Sequence, residues 1–501
     1  MTESALAYVP EDRRLALARG VELPRRSTGS ALFADISGFT PLTEALVRAY
    51  GPQRGAEQLL VVLNGIYDAL VAEVADRRGS VIVYSGDAIT CWFDDDPLRA
   101  DDETPAAVHP EPAARRAVGC ALALQHAMAG LRTVTVGDDE VTLAVKVAVT
   151  SGPAVRARVG GPPTPPIATL AGGTLGPPGT AEHEASPGEV VVDEATAEAV
   201  GPALAIAEWR HGADVADERF GVVSELDGVV ARDQWPAVGD DAVDDDTRRQ
   251  WMIPPVADRL GTGMGEFLTE LRPAVSLFLR FDGIDYDGDP RAAEHLDTQV
   301  RATQAVLLRY DAFILQVTIG DKGSYINTAF GAPIAHGDDA VRAINAALEL
   351  RDLDAPSVTS LQIGIAQGRT RAGACGATTR RCYGVMGDPV NLSARLMQRA
   401  ADRQVLVESS VRRAAAVPFH WDDLAPITVK GKSQPIEVSS AAGHRLRSGN
   451  RLRGRAYHLP LFGRAEQIEV LRGVLDRAVG GRGQVVGLVG EAGMGKSRLV
   501  A

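Results

Sequence analysis

An internal repeat at long period constrains this chain more than any local motif, because it divides the 501 residues into two similarly built halves. The early run ALFADISGF (31–39) and the later run LFLRFDGI (277–284) both read as a buried strand meeting a glycine-containing turn. Each is followed by a strand–turn–strand signal, VIVYSGDAITCWF (81–93) in the first half and LQVTIGDKGSY (315–325) in the second. Amphipathic stretches over 113–131 and 338–350 come next, then apolar strands over 141–150 and 360–367. The repeated order of strand, helix, hairpin, helix, strand predicts α+β domains of the ferredoxin-like (βαββαβ) arrangement, at 30–225 and 271–440.

The acidic stretch GDDAVDDD (239–246) places a solvated linker over 226–270, and the basic run HRLRSGNRLRGR (444–455) a second linker over 441–457. A net charge of -13 argues against a nucleic-acid partner, whose phosphates need clustered Lys and Arg. Four widely spaced cysteines imply no disulfide framework. With no leader-like N-terminus and no uncharged apolar run of spanning length, the expectation is a cytoplasmic protein without membrane insertion.

Two aspartates stand out chemically. Asp35 ends a buried strand before a glycine turn, and Asp87 sits at the tip of the first hairpin. Paired carboxylates on one sheet edge suit a hard cation, and the amides after Asp35 can cradle phosphate. FADISGFTPLTEAL and YSGDAITCWF resemble the two metal-binding segments of class III adenylyl and guanylyl cyclases. The resemblance implies two magnesium ions, replaceable by manganese, held by Asp35, Asp87 and the Ile36 carbonyl, with phosphate on the backbone of Phe39 and Thr40. In the second half, YGVMGDPVNLSARL (383–396) resembles the family's transition-state segment, which gives Asn391 the ribose and Arg395 the α-phosphate. Four residues apart, these two are expected to project from one helix face. Lys146 resembles the family's basic contact to the terminal phosphates. Gln316, Gly384 and Val385 fall where the family reads the purine, and they match neither the adenine nor the guanine pattern.

The two halves are not equivalent. Aligning their shared pattern puts Arg280 at the place of Asp35, with Asp321 at that of Asp87. Aligning GEVVVD (188–193) with RQVLVE (403–408) puts Gly176 and Thr180 at the places of Asn391 and Arg395. A tandem pseudo-heterodimer with one competent site follows, as in the tandem-domain soluble (ten-type) cyclases. The positions that resemblance assigns to bicarbonate hold Val83 and Gly179. The expected activity is adenylate cyclase, ATP to 3',5'-cyclic AMP and pyrophosphate. The alternatives are guanylate cyclase and a silent nucleotide-sensing module. Over 458–501, Gly490, Gly495, Lys496 and Ser497 fit a P-loop after an apolar strand at 485–488, the start of an ATPase domain whose remainder is missing from this chain.

Overall fold

The computed structural model describes residues 4–96, 111–137, 139–175, 181, 184–212, 218–262, 270–320, 323–415, 419–429, 435–444 and 463–489. They fall in two compact units, Met1–Ala416 with Trp421–Ala442, and Val417–His420 with Gly443–Ala501.

The first unit contains both repeats. In the N-terminal half, helix α1 (Glu11–Arg19) precedes β1 (Arg26–Ser37), α2 (Phe39–Ala75), the hairpin β2 (Gly79–Ser85) and β3 (Ala88–Asp94), and α3 (Ala113–Ala129). A small hairpin, β4 (Thr133–Val136) and β5 (Asp139–Thr142), leads into β6 (Ala144–Val159), β7 (Ile167–Ala171), β8 (Val190–Asp193), α4 (Glu194–Val200), β9 (Leu204–His211) and β10 (Arg219–Leu226). The sheet order is β2-β3-β1-β6-β8-β10-β9, with β7 also on β6. Its first four strands have the ferredoxin-like order, because the hairpin inserts beside β1 and the last core strand closes the other side.

The C-terminal half repeats this with β11 (Glu270–Asp282), β12 (Phe313–Gly320), β13 (Gly323–Phe330), β14 (Ser360–Gly376), β15 (Arg381–Met386) and β16 (Gln404–Glu408), in the order β12-β13-β11-β14-β16 with β15 on β14. Residues 438–440 pair with β16. Helices α5 (Asp245–Gln250) and α6 (Pro254–Gly261) precede this sheet, and α7 (Ala292–Leu308), α8 (Asp339–Arg351) and α9 (Asp388–Arg399) follow in sequence.

Helix α2 is two helices meeting at Gly51, whose φ of 78° and ψ of 169° break the helix. Gln58–Ala75 is long and apolar enough to cross a membrane by length and composition. Yet Leu63, Ile66, Tyr67, Leu70, Val71 and Val74 pack into the first half's core with α3 and the inner strands, so its apolar face is already covered.

The segment expected to be a solvated linker differs from that expectation. The stretch 239–246 is exposed apart from Val243, but Met252, Ile253 and Val256 after it are buried. Ile253 and Val256 pack on Phe313, Tyr383 and Val385, and Met252 with Ala257 packs on Tyr8. Charge marked the start of the segment, and the apolar side chains behind it decided its packing.

In the second unit a helix spans Ala465–Val479. The strand expected over 485–488 is not formed; Val485 is fully exposed and pairs with no strand among the described residues. Gly490, Gly495, Lys496 and Ser497 lie outside the described residues.

Candidate functional site

Strand β1 delivers Asp35 to the sheet edge opposite Ala88, and the Ile36 N–H donates to the Asp87 carbonyl at 3.2 Å. The two aspartates therefore stand on adjoining strand ends, Asp87 in the two-residue Gly86–Asp87 turn with Gly86 at φ 72°. Lys146 on β6 lies directly across from Asp35 on its other side. The chain then turns sharply at Gly38 (φ 93°), where a Cβ would come within 2.4 Å of the Thr142 carbonyl oxygen. That turn starts α2 at Phe39, so its first amides have no partner within the helix and face the end of β1.

Tyr67 and Tyr84 hold the aspartate turn, and sequence reasoning missed both. The Tyr67 hydroxyl donates to the Gly86 carbonyl at 2.6 Å, and its ring meets Tyr84 edge-on at 5.0 Å. Burial pushes both phenols well above their usual 10, so each stays a donor. The Tyr84 hydroxyl donates to the Arg380 carbonyl at 2.6 Å, and Arg380 Nε returns a bond to the Val81 carbonyl at 2.9 Å. Asp68 accepts from the Thr378 N–H at 2.6 Å, and Gln316 Nε2 donates to Ser85 Oγ at 2.8 Å. The hairpin of the first half is thereby bound to the second.

Between them lies a cavity of about 460 Å³. The first half contributes Phe39, Thr40 and the hairpin arm from Ile82 to Asp87; the second contributes Gln316, Gly384, Val385 and Asn391. Three segments that the sequence did not mark add to the wall: Tyr8 and Pro10 before α1, Pro165–Ala168 at the start of β7, and Trp251–Ile253 with Val256. Their apolar character in place of charge is the signal that could have found them.

Helix α9 reaches the cavity because β14 has a glycine beneath it. A Cβ on Gly364 would sit 2.2 Å from the Ser393 carbonyl oxygen. The Ser393 hydroxyl also bonds Ser276 Oγ at 2.8 Å. The helix turns Val390, Asn391, Ala394, Met397 and Gln398 to the cavity. Arg395 is not among the lining residues, and neither are Asp35, Ile36 and Lys146. Each helical residue turns about 100°, so the lining face, centred on Ala394, leaves Arg395 about 100° round at its flank, short of the single shared face expected from the spacing.

Strand register tests the comparison of the two halves. In parallel pairing Val147 faces Val190, and Ile363 faces Val405, so Lys146 and Gln362 occupy equivalent places. Asp35 pairs with Lys146 and Arg280 with Gln362, which puts Arg280 at the place of Asp35. Arg280 there meets Asp282 at 3.3 Å. The same register corrects the second equivalence: Asp35 faces Ala88 and Arg280 faces Tyr325, so Ser324, and not Asp321, takes the place of Asp87. Counting from β7 (Val155 facing Ala171) and β15 (Arg371 facing Met386) again brings Gly176 to the place of Asn391. Gly176, Thr180 and Asp321 themselves lie outside the described residues.

Asp35, Asp87 and the Ile36 carbonyl are hard oxygen donors, and among the described residues no cluster of three or more His, Cys, Asp or Glu offers a rival metal site. Two carboxylates leave coordination places for phosphate oxygens and water, as magnesium prefers.

Residues 306–439 match the family model described as the adenylate and guanylate cyclase catalytic domain. Adenylate cyclase type 10 of Rattus norvegicus is 23% identical over 517 residues, covering 94% of this chain and 30% of the relative. An uncharacterised protein of Mycobacterium tuberculosis is 34% identical over 117 residues, 22% of this chain and 21% of that one. The solved structure of a class III adenylyl cyclase-like ATP-binding protein from Pseudomonas aeruginosa is 13% identical with a TM-score of 0.50, over 83% of this chain and 94% of that one. The chain spans about 30% of the length of the type 10 cyclases it matches. Residues 306–439, in the second half of the first unit, are thus similar to an adenylate and guanylate cyclase catalytic domain, and they stand beside a first half of the same strand order.

Proposed function

We propose that the cavity binds ATP and cyclises it to 3',5'-cyclic AMP and pyrophosphate, in the cytoplasm. The observation that carries this reading is one cavity lined both by the hairpin bearing Asp87 with Phe39 and Thr40 and by the helix bearing Asn391. The free amides at the start of α2 would hold the triphosphate, since a helix N-terminus favours anions. Asp35, Asp87 and the Ile36 carbonyl would hold magnesium, with manganese as a substitute. When bound, the metal lowers the pKa of the attacking 3'-hydroxyl and neutralises the leaving pyrophosphate. Asn391 would orient the ribose, and Arg395 would swing from the flank of α9 to donate to the α-phosphate oxygens. Lys146, across from Asp35, would add positive charge for the terminal phosphates.

Gln316 favours ATP over GTP. Its Nε2 donates to Ser85 Oγ at 2.8 Å and Thr318 Oγ1 at 2.7 Å, which leaves its carbonyl oxygen to accept. The exocyclic amine of adenine is a donor there, whereas the guanine O6 is not. Gly384 and Val385 would supply the backbone side of the purine pocket.

The test measures cyclic nucleotide and pyrophosphate from ATP and GTP side by side, with magnesium and with manganese. Asp87→Ala and Arg395→Ala should each lower turnover by about 100-fold or more. Faster turnover of GTP than of ATP would refute the purine assignment. A second reading, a nucleotide sensor without turnover, is favoured by one observation: Asp35 and Arg395 stand outside the cavity lining. Tight ATP binding without product under either metal would establish it.

A further inference from the structure

Cys375 and Cys382 are seven residues apart in sequence, yet the β14–β15 hairpin sets them directly opposite one another. Their sulfurs share a hydrogen bond, and both line the cavity. Residues directly opposite on antiparallel strands have Cα atoms about 4.5–5.5 Å apart, within the range that a disulfide spans. We propose that Cys375 and Cys382 form a reversible dithiol–disulfide switch in the wall of the nucleotide cavity. Its regulatory consequence rests on the nucleotide reading above; the bond itself does not.

The two sulfurs are unequal. The hydrogen bond from Cys375 holds the Cys382 thiol below its ordinary 9.0, with the Arg380 charge adding to this, while the same bond and then burial push Cys375 well above it. Cys382, the half-buried member, is the nucleophile. The other two cysteines make the contrast. Cys91 and Cys120 lie inside the first half's core, where burial raises Cys91 well above 9.0 and pushes Cys120 up to about 12. They stay thiols.

Hydrogen peroxide is a sufficient oxidant. The Cys382 thiolate attacks one peroxide oxygen, the O–O bond breaks, and the departing hydroxide takes a proton to leave as water, giving a sulfenic acid. The Cys375 sulfur then attacks the Cys382 sulfur; the S–S bond forms, the S–O bond breaks, and the oxygen leaves as a second water with the Cys375 proton. Two thiols and one peroxide thus become one disulfide and two waters.

Closing the S–S bond to about 2.05 Å draws the two hairpin arms together. Gly384 and Val385 follow Cys382 on the moving arm, and α9 begins just beyond it at Asp388. Oxidation therefore reshapes the purine side of the cavity.

The experiment treats the full 501-residue chain with peroxide and then with dithiothreitol. Trypsin separates the two cysteines into residues 372–380 and 382–395, because Arg371, Arg380, Arg381 and Arg395 are cleavage sites. The expected result is a linked pair of these peptides after peroxide, lost on reduction, together with altered hydrogen exchange over 383–399 and about ten-fold weaker ATP binding. Cys375→Ser and Cys382→Ser should each give no linked pair, and each should bind ATP alike before and after peroxide. Absence of the linked pair overturns the switch, as does a linked pair with unchanged exchange and unchanged ATP binding. If neither form binds ATP, the proposed function fails, and the linked pair with its exchange change still decides the switch.

Discussion

Replacing Arg380 with alanine should loosen the join between the two halves. Arg380 is 5% exposed and projects from the β14–β15 turn onto strand β2 of the other half. Strand β2 slips register between Val81 and Val83, a bulge that takes carbonyls out of the ladder. The guanidinium collects them: Nε donates to the Val81 carbonyl at 2.9 Å and an Nη to the Ile82 carbonyl at 3.2 Å, while the group stacks 5.8 Å from the Tyr84 ring. Two hydrogen bonds to a charged donor contribute about 3–6 kcal/mol in sum, and the ring contact about 1 kcal/mol more. Rehydration of the freed carbonyls and the lost cost of burying the charge offset part of this, leaving a net loss of about 2–4 kcal/mol. For halves of this size that lowers the melting midpoint by roughly 5–10 °C in a calorimetric scan. Arg380→Lys should fall between the two, because an ammonium cannot match the planar fork that reaches both carbonyls. A midpoint within about 2 °C of the parent for Arg380→Ala would refute the reasoning, since an idle guanidinium costs little to remove.

Other expectations follow from the same contacts. Tyr67→Phe removes the donor to the Gly86 carbonyl and should cost about 1 kcal/mol by thermal melting, with a several-fold higher magnesium requirement for any turnover because the Asp87 turn is no longer pinned. Gly364→Ala drives a Cβ to 2.2 Å from the Ser393 carbonyl oxygen and 2.3 Å from the Met397 nitrogen, so α9 must lift; a stability loss of about 3 kcal/mol is expected, and an unchanged melting curve would contradict the close approach. Glu11 accepts from the Val81 N–H at 3.1 Å, and burial holds its carboxyl above the ordinary 4.5 despite the nearby Arg14 and Arg380. The folded chain therefore favours protonated Glu11, and the stability this lends is full below pH 4.5 and lost as pH rises through the folded value. Urea titrations should find Glu11→Gln gaining on the parent as pH is raised from 4.5, and a constant difference would count against it.

The sequence by itself determined the two repeats and their strand order. Those features are written in short-range signals: apolar runs of strand length, the glycine turn after Asp35, the Gly-Asp hairpin tip and the helix start at Asp388. Register then corrected one equivalence, Ser324 for Asp321, because the second hairpin is longer and an alignment of turns does not see strand pairing. Only the tertiary structure decided that the hairpin of one half and α9 of the other share a cavity, and that residues near Tyr8 and Trp251 close it. Only it turned Arg395 to the flank of its helix, set Cys375 against Cys382 and laid Arg380 across the bulge in β2. The physical reason is separation along the chain. Arg380 and Val81 lie 299 residues apart, and no local period or composition records which buried donor meets which distant carbonyl.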